Sequence, residues 1–412
     1  MTGNMEVVYE RACGIDVHKN EIAVCLITGQ RKTDTRKFGT LTKDLREMVE
    51  WLKSENVQMV AMESTGSYWK PLYNIFELEG IEAIIVNPQH MKAIPGRKTD
   101  INDAQWIAKL LRHGLLRASF IPDKEQREYR ELTRYRNSRI EERAREINRL
   151  QKFLEGANIK LASKISDITS LTATRMIRLI IGDEEMTIDK ISEVRSNRCN
   201  SSAEEFLDAM TGIVSDLQRH LLREVLQVIE EQTKQIERIE AMVKAYTNKE
   251  YDIAAKALEV IPGIGRISAE QIIAEIGVDM TRFPTAHHLC SWAGLSPGDN
   301  ESAGKRKSGR TRKGNKTLKK TLVQCATTAV KNKETFFHAQ YQRLVVRKGG
   351  KKAVVAVAHS MLIAIYHVLL GCEYRDLGAD YYTQFNRDKK IQSHLKQLKK
   401  LGWEQPCPVI AS

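Results

Sequence analysis

The chain up to about residue 113 alternates between apolar segments of strand length and amphipathic segments of helix length. Apolar residues on both sides of a Lys-Asn turn predict a strand, a hairpin and a second strand, and the longer periodic runs predict helices. In chain order, the predicted elements are two strands within 13–28, a strand at 33–39, a helix at 42–53, a strand at 57–63, a helix at 67–79, a strand at 81–86 and a helix at 101–113. Strands that alternate with helices are typical of an α/β domain.

After residue 124 the pattern changes to long, charged helices. Among the Arg and Glu residues of 128–159, the apolar positions are Leu132, Tyr135, Ile140, Ile147, Leu150 and Leu154. A later helix has apolar residues, and one Gln, at the a and d positions of successive heptads: Leu222, Val225, Ile229, Gln232, Ile236, Ile239, Val243 and Tyr246. This spacing predicts coiled-coil packing, either between the two long helices of one chain or between two chains.

Four acidic residues interrupt the apolar segments of the α/β domain. Asp16 lies inside the first predicted strand, and Glu63 ends a buried-type apolar run just before a Thr-Gly-Ser loop. Asp100 and Asp103 open a helical stretch and are three residues apart, so that they share one helix face. Because a buried carboxylate is costly unless a cation or hydrogen bonds compensate it, these acids are candidate metal ligands.

Hard oxygen ligands of this kind suit Mg²⁺ or Mn²⁺, and two such ions can activate attack on a phosphodiester and stabilise the oxygen that leaves. Each acid also has a structural explanation. Asp16 is compatible with a turn, and Asp103 with the favourable position of an acid at the start of a helix. The four acids together predict phosphodiester chemistry more strongly than any one of them does.

The segment LEVIPGIGRISAEQIIAEIG, residues 258–277, predicts two helices joined by a tight turn and resembles a helix-hairpin-helix. In such a turn Gly263 and Gly265 would let backbone N–H groups approach a phosphate, and the N-terminus of the following helix would favour the anion. The alternative is a packed turn between two helices that binds nothing.

A basic run rich in Ser and Gly precedes a helix that is predicted to begin near Asn315. Between Ser302 and Lys320 the sequence has no acidic residue, and its cations are Lys305, Arg306, Lys307, Arg310, Arg312, Lys313, Lys316, Lys319 and Lys320. Such a run is usually a solvated face. Here the glycines indicate close backbone approach to a ligand, and the positive charge would lower the cost of ionising a hydroxyl. Ser302 is therefore a candidate nucleophile, with Ser296 and Ser308 as alternatives.

The composition indicates a nucleic-acid partner. The 412 residues contain 65 Lys and Arg against 52 Asp and Glu, a formal net charge of +13 that favours polyanionic ligands. Neither an apolar run of transmembrane length nor a signal peptide is predicted, so we expect a cytoplasmic, nucleoid-associated protein with no membrane partner. The seven cysteines are odd in number and lack CxxC spacing, which argues against a zinc site and a disulfide framework.

Five motifs together resemble transposases of insertion-sequence family 110 and its 1111 branch. They are GIDVHK, AMESTGSYW, the Lys-Thr-Asp-x-x-Asp pattern at 98–103, the IPGIG hairpin and the series WAGLSP, SAGK and KGNK. They follow the family's order, between about residues 12 and 115 and again between 255 and 335. Each motif alone is weak, whereas the ordered set is specific.

The resemblance implies an α/β RNase H-like (RuvC-like) N-terminal domain, a long helical coiled-coil middle and a mostly α C-terminal transposase domain with a helix-hairpin-helix. The domains expected on this basis are a RuvC-like DEDD nuclease domain at 1–124, the helical coiled-coil region at 125–254, the transposase domain at 255–378 and a polar tail at 379–412.

The resemblance also assigns the site. Asp16, Glu63, Asp100 and Asp103 correspond to the DEDD ligands of Mg²⁺ or Mn²⁺, and Ser302 corresponds to the serine that becomes linked to DNA, although Ala303 replaces the glycine that commonly follows it. The nucleic-acid-binding residues that we expect are Gly263, Gly265, Lys305, Arg306, Lys307, Arg310, Arg312, Lys313 and Lys316. The family further implies a guiding bridge RNA, a homo-oligomer (dimer or tetramer) and an active site that is completed between protomers.

We therefore expect a site-specific DNA recombinase of an insertion sequence. It would cut and rejoin element ends and target DNA through a serine-linked intermediate, with divalent-metal assistance. One alternative is a structure-selective junction nuclease that hydrolyses DNA with metal and water alone. Another is a nucleic-acid-binding protein without catalysis, in which the acids are structural.

Overall fold

The computed structural model of the protein describes residues 6–29, 32–63, 66–88, 91, 103–298, 300–302, 305–308, 311, 313–384 and 387–402. The chain divides into two compact units, Met1–Pro122 and Asp123–Ser412. The first unit is built on a sheet, and the second is almost entirely helical.

The elements of the first unit agree with the predicted strands and helices. They are β1 (Arg11–Val17), β2 (Ile22–Thr28), β3 (Lys32–Phe38), α1 (Thr42–Ser54), β4 (Met59–Glu63), α2 (Trp69–Glu79), β5 (Ala83–Val86) and α3 (Asp103–Arg112). The strand order in the sheet is β3-β2-β1-β4-β5. β2 pairs antiparallel with both β1 and β3, whereas β4 pairs parallel with β1 and with β5. The predicted α/β character of this region is confirmed.

The two faces of the sheet carry different side chains because successive residues of a strand point to opposite sides. On one face Cys13, Ile15 and Val17 of β1 join the core that α1 and α2 cover. On the other face, β1 presents Ala12 and Gly14 towards α3. This second face is made of small residues, so that a helix can lie close to the strands.

The second unit consists of helices and one small hairpin. Its elements are α4 (Lys124–Gly156), α5 (Leu171–Ile181), α6 (Ile188–Val194), α7 (Ala203–Met210), α8 (Asp216–Tyr246), α9 (Lys249–Glu259), α10 (Arg266–Ile276), α11 (Ala286–Trp292), β6 (Asn300–Ser302), β7 (Lys305–Ser308), α12 (Lys316–Ala329), α13 (Phe336–Lys348), α14 (Gly350–Leu369), α15 (Tyr381–Gln384) and α16 (Arg387–Lys400).

The long helices α4 and α8 pack side by side in opposite directions. At one end the rings of Tyr129 and Tyr246 are stacked with their centroids 6.3 Å apart, and further along Nε of Arg143 donates to Oγ1 of Thr233 at 2.7 Å. The predicted heptad residues that are buried are Leu222, Val225, Ile229, Ile239 and Val243. The two long helices of one chain therefore pack on each other, and a coiled coil between two chains stays a prediction.

Near its start, α4 buries polar side chains and leaves one of its apolar positions exposed. Tyr129, Thr133 and Arg136 are buried, whereas Tyr135 has 52% of its surface exposed. The physical reason is an ion pair at 2.5 Å between Arg136 and the carboxylate of Glu270 in α10, which compensates the buried guanidinium. An arginine therefore occupies a place in the core, although the apolar pattern of this helix does not include it.

Helix α14 lies at the centre of the larger core of the second unit, although its length and composition alone would allow it to cross a membrane. The sequence-based prediction that no apolar run reaches that length was therefore wrong. Ala353, Val357, Met361 and Ile365 are fully buried, and the last three lie in one cluster with residues of α10, α11 and α12. Their spacing of four residues gives the helix a core face, as in the interior helix of a globular protein.

Candidate functional site

Asp16 and Glu63 come side by side on two adjacent parallel strands. The pairing of β1 with β4 sets Ile15 against Met62, so the next residue of each strand lies at the same level of the sheet. Residues at one level of neighbouring strands project to the same face. The two carboxylates therefore share the face that α3 covers, at the carboxyl ends of their strands.

Helix α3 packs directly on β1 because Gly14 has no side chain. A Cβ atom at position 14 would lie 2.2 Å from the carbonyl oxygen of Ala104 and 2.3 Å from the amide nitrogen of Ala108. Such distances leave no space for even a methyl group. The close packing brings Asp103, the first residue of α3, into electrostatic contact with Asp16.

The carboxyl group of Asp16 lies within a cluster of negative charge. Only 16% of its side chain is exposed, and this burial is the main cause that raises its pKa. Nε2 of His18 lies 3.0 Å from Oδ2 of Asp16 and lowers the pKa, whereas Asp103 and Glu63 raise it by like-charge repulsion. The structure thus brings together three of the four predicted acids, and Asp100 lies outside the described residues.

This cluster fits a hard divalent cation. Carboxylates that repel one another and are partly removed from water are stabilised by a cation, and their oxygens are the ligands that Mg²⁺ and Mn²⁺ prefer. Within the part of the chain that the structure describes, no three His, Cys, Asp or Glu side chains stand close enough to hold an ion as they are. The chemistry of Asp16, Glu63 and Asp103 therefore suits them to supply part of a ligand set, although the three do not form a complete site by themselves.

Sequence reasoning assigned no role to His18, which forms the hydrogen-bonded pair with Asp16. One residue, Val17, lies between them in the chain, a spacing that directs both side chains to one side of an extended segment. That spacing in GIDVHK is the signal that could have identified the pair. An imidazole that is hydrogen-bonded to a carboxylate fixes the orientation of that carboxylate.

The candidate nucleophile lies on the hairpin of the second unit. β6 and β7 are antiparallel, and Ser302, the last residue of β6, pairs with Lys305, the first residue of β7. At the other end of the hairpin Pro297 forms an isolated bridge with Thr311. Ser302 is therefore at the tip of the hairpin, and the bridge closes its base.

The predicted nucleic-acid-binding cations lie along the same segment. Those on β7 are Lys305, Arg306 and Lys307, and those exposed around the start of α12 are Lys313 and Lys316. Arg310 and Arg312 lie outside the described residues. Lys320, at the end of the basic run, forms an ion pair with Glu141 of α4 at 2.5 Å.

Lys319 turns inward and holds the base of the hairpin. Its Nζ donates to the carbonyl oxygen of Gly294 at 3.0 Å and to Oγ1 of Thr311 at 2.6 Å. Gly314 lies against the same backbone, since a Cβ at this position would be 2.3 Å from the amide nitrogen of Gly294. Sequence reasoning had counted Lys319 among the cations of a charged run, which is usually a solvated face.

The two glycines of the IPGIG turn have different surroundings. Gly263 has a left-handed φ of +87°, and a Cβ there would lie 2.4 Å from the carbonyl oxygen of Cys325 in α12. Gly265 is the N-cap of α10 with φ −100°, and the space where its Cβ would stand is open. The close approach at Gly263 is therefore to α12, whereas the surroundings of Gly265 leave room for a ligand. Nucleic-acid binding by both glycines stays a prediction.

Helix α10 carries two carboxylates into the core. Glu275 is fully buried and accepts from Nε and Nη2 of Arg134 at 2.6 and 2.7 Å. Glu270 accepts from Nη1 of Arg136 at 2.5 Å and from Nε of Arg266 at 2.6 Å. Buried carboxylates are tolerated where hydrogen bonds and opposite charges compensate them. The arginines of α4 thus anchor the helix that follows the IPGIG turn.

Two family models match the chain in the regions that hold these residues. Residues 13–159 match the model for DEDD-type IS110 elements, which is described as Transposase, and residues 255–342 match one described as Transposase IS116/IS110/IS902 family. The chain belongs to the IS110 family of transposases. It is therefore a DNA transposase of an insertion-sequence element, and the resemblance seen in its motifs is confirmed.

Named relatives of this IS110 transposase agree with the family. The transposase for insertion sequence element IS1328 of Yersinia enterocolitica is 24% identical over 316 residues, which cover 76% of this chain and 82% of the relative. A Sinorhizobium fredii protein named as transposase y4qE is 23% identical over 327 residues, which cover 77% of this chain and 72% of that protein.

The two matched regions divide the predicted chemistry of the transposase between them. The first includes the four acids, and the second includes the IPGIG turn, the hairpin with Ser302 and all of α12. The roles of the individual residues remain predictions that rest on their chemistry and surroundings.

Proposed function

We propose that this IS110 transposase cuts and rejoins DNA through a covalent bond between Ser302 and a DNA phosphate, assisted by a divalent metal. The observation that carries the proposal is the meeting of Asp16, Glu63 and Asp103 at the carboxyl ends of β1 and β4 and the start of α3. Carboxylates gathered at such strand ends in an α/β unit are typical of a ligand-binding site. The strand order supports an RNase H-like fold for this unit.

The metal ligands in this proposal are Asp16, Glu63, Asp100 and Asp103. Mg²⁺ or Mn²⁺, when bound there, would polarise a phosphate oxygen and lower the cost of negative charge around phosphorus. His18 would keep the carboxylate of Asp16 in a fixed orientation through their hydrogen bond. Burial of the Asp16 carboxyl would exclude part of the competing water.

The covalent step conserves the phosphodiester. Oγ of Ser302 would form a bond with phosphorus as the bond between that phosphorus and one deoxyribose oxygen breaks. The hydroxyl proton of Ser302 would leave to solvent or a nearby base, and the departing deoxyribose oxygen would take up a proton. Attack by a hydroxyl of another strand reverses these events and releases the serine, so no external energy source is needed for rejoining.

The basic segment would hold the nucleic acid. Lys313 and Lys316 are exposed near the hairpin, and cations of this kind bind phosphates without reading the bases. Gly265, with open space at its Cα and a helix N-terminus behind it, would bind a further phosphate. We further propose a bridge RNA as guide, a dimer or tetramer as the active form, and action in the cytoplasm on nucleoid DNA.

The proposal is tested on a denaturing gel after incubation of the protein with Mg²⁺, RNA from the flanking non-coding DNA and labelled element-junction DNA. Wild type is compared with Ser302→Ala and Asp16→Asn, and Ser308→Ala serves as the matched control on the same hairpin. We expect a protein–DNA adduct in wild type and in the control, and none in the other two variants, with DNA binding retained throughout.

Two results would overturn the proposal. Cleaved DNA with free 5′-phosphate ends and no adduct would establish a hydrolytic junction nuclease instead. An adduct in Ser302→Ala would move the nucleophile to another residue.

A further inference from the structure

We propose that Asn315 and Glu275 position the hairpin that carries Ser302, and that this pair governs the rate of DNA cleavage but not the affinity for DNA. The inference rests on the proposed function, in which Ser302 is the nucleophile. Neither residue lies on the hairpin itself, so both act through it as positioning residues.

The side-chain amide of Asn315 makes two different contacts. Its Oδ1 accepts from the backbone N–H of Leu318 at 3.0 Å and so caps α12, and its Nδ2 donates to Oε2 of Glu275 at 2.6 Å. Helix capping requires only the acceptor oxygen. The second contact therefore has a separate effect: it fixes the start of α12 relative to the middle of the core.

Glu275 is a rigid point of attachment. It is fully buried, and Arg134 of α4 binds both of its carboxylate oxygens, at 2.6 and 2.7 Å. Nε2 of Gln271 donates to Oε1 at 3.1 Å, and Nε of Arg130 lies 3.6 Å from Oε2. A paired, two-point contact with arginine restricts both the position and the direction of a carboxylate. Asn315 is thus tied through Glu275 to α4 as well as to α10.

A short chain of contacts joins Asn315 to the hairpin. The preceding residue, Gly314, lies directly on the backbone of Gly294, and Lys319 of α12 donates to both Gly294 and Thr311. Thr311 bridges to Pro297 at the base of the hairpin. A shift of the start of α12 would therefore move the base, and the tip with Ser302 would move with it.

The fold does not depend on this contact alone. Leu318, Leu322, Cys325 and Ala326 bury one face of α12 in the core, and these apolar contacts hold the helix in place. Loss of the hydrogen bond from Asn315 would leave α12 folded but less fixed at its first turn. For a nucleophile, a displacement of about 1 Å can lower a rate by about 10²-fold.

The test separates capping from positioning by exchanging the donor and the acceptor. Asn315→Asp retains a good helix cap but places a carboxylate against Glu275, so that the two groups repel each other. Asn315→Ser also retains a cap and loses the hydrogen bond to Glu275, but it adds no charge. In the double variant Asn315→Asp with Glu275→Gln, the amide at position 275 can donate to the carboxylate at position 315, so the hydrogen bond returns in the opposite direction.

We measure the rate of adduct formation at saturating DNA, and separately the dissociation constant for DNA. Asn315→Asp is expected to lower the rate by about 10²-fold without changing the dissociation constant, and Asn315→Ser by a smaller factor. The double variant is expected to recover part of the rate, because the hydrogen bond to position 315 returns while one of the two contacts between Arg134 and residue 275 is lost. Ser302→Ala, measured in parallel, forms no adduct if the proposed function holds.

Phe206→Leu provides the control for stability, because Phe206 is fully buried in a different cluster, to which α5, α7, α8 and the C-terminal end of α4 contribute. It should lower the midpoint temperature of thermal unfolding and leave the adduct rate unchanged. A wild-type rate in Asn315→Asp, or no recovery in the double variant, would overturn the positioning role. An equal loss of rate in Phe206→Leu would do so as well. An adduct in Ser302→Ala would instead overturn the proposed function.

Discussion

The amide nitrogen of Ala108 in α3 lies 2.3 Å from the point where a Cβ of Gly14 in β1 would stand. The helix and the strand are thus in backbone contact, and this contact places Asp103 beside Asp16. The position of Asp103 beside Asp16 therefore depends on the absence of a side chain at Gly14.

We expect Gly14→Ala to destabilise the first unit by about 1–3 kcal/mol, since the added methyl group must push α3 away from the sheet. Hydrogen exchange of peptides that cover β1 and α3 measures the effect locally. Gly156→Ala is the matched control, because the position is open and the methyl group meets no atom there. Equal protection of β1 in wild type and Gly14→Ala would contradict this account of the packing.

The two glycines of the IPGIG turn should also differ in how much an alanine substitution destabilises the protein. Gly263→Ala is expected to cost about 2–4 kcal/mol, since it combines a left-handed backbone with a clash against Cys325. Gly265→Ala should cost less than about 1 kcal/mol, because its φ is ordinary and its surroundings are open. Thermal unfolding of the two variants checks this order, and similar losses would show that the turn is packed differently.

Gly265→Ala also tests phosphate binding at the turn. If a phosphate approaches the backbone at this position, the methyl group should weaken DNA binding although the fold is intact. The affinity of the variant for a DNA duplex, measured at one fixed salt concentration, decides the point. An unchanged affinity would remove Gly265 from the DNA interface.

Arg136→Met should lower the free energy of unfolding by about 3 kcal/mol, the lower end of the range for breaking a buried ion pair. The carboxylate of Glu270 keeps its contact with Arg266, which limits the loss. Arg178→Met removes one member of a surface pair with Glu230 and should cost less than about 1 kcal/mol. Urea unfolding of both variants gives the comparison, and a smaller loss for Arg136→Met would contradict it.

Asp16→Asn should stabilise the metal-free protein at neutral pH. In the folded state, burial and the neighbouring carboxylates raise the pKa of Asp16 above its ordinary value of 3.8. Between the pKa of Asp16 in the unfolded state and its higher pKa in the folded state, the folded protein retains a proton that the unfolded chain has lost. The stability that this group contributes therefore falls as the pH rises through that range. Above that window the folded protein carries an unfavourable charge, which asparagine removes.

The same variant should lose its response to metal. Wild type is expected to gain about 2.7 kcal/mol of stability in Mg²⁺ or Mn²⁺ at 100 times the dissociation constant, and Asp16→Asn far less. Asp34→Asn, which removes a partly exposed carboxylate on β3 of the same sheet, should respond like wild type. Thermal unfolding with and without metal, at two pH values, measures both effects, and an equal metal response in Asp16→Asn would remove this residue from the ligand set.

Much of the first unit could be predicted from the sequence, because its strands are short apolar runs that end at clear turns. The expectation that Asp16 and Glu63 come together rested on the resemblance of the motifs, and their common level in the sheet is set by the register of β1 with β4. The position of α3 could not be predicted, since it depends on backbone contact at Gly14, and a glycine within a strand has several explanations.

The core of the second unit was harder to predict for a different reason. Arg134 and Arg136 are separated from Glu275 and Glu270 by more than a hundred residues, and each taken alone is typical of a solvated helix face. The available signal was Glu270 and Glu275 in the otherwise apolar helix EQIIAEI, which requires compensating donors elsewhere. Nothing in the sequence identifies which of the many arginines supply them.

The burial of α14 has a consequence for how the chain is made. A helix that is apolar enough for a lipid bilayer is a hazard while it emerges from the ribosome, since exposed apolar surface promotes aggregation. The helices α9, α11, α12 and α13, which contact it, all precede it in the sequence. The surface that covers α14 is therefore already synthesised when α14 appears, so the helix can be buried as soon as it leaves the ribosome.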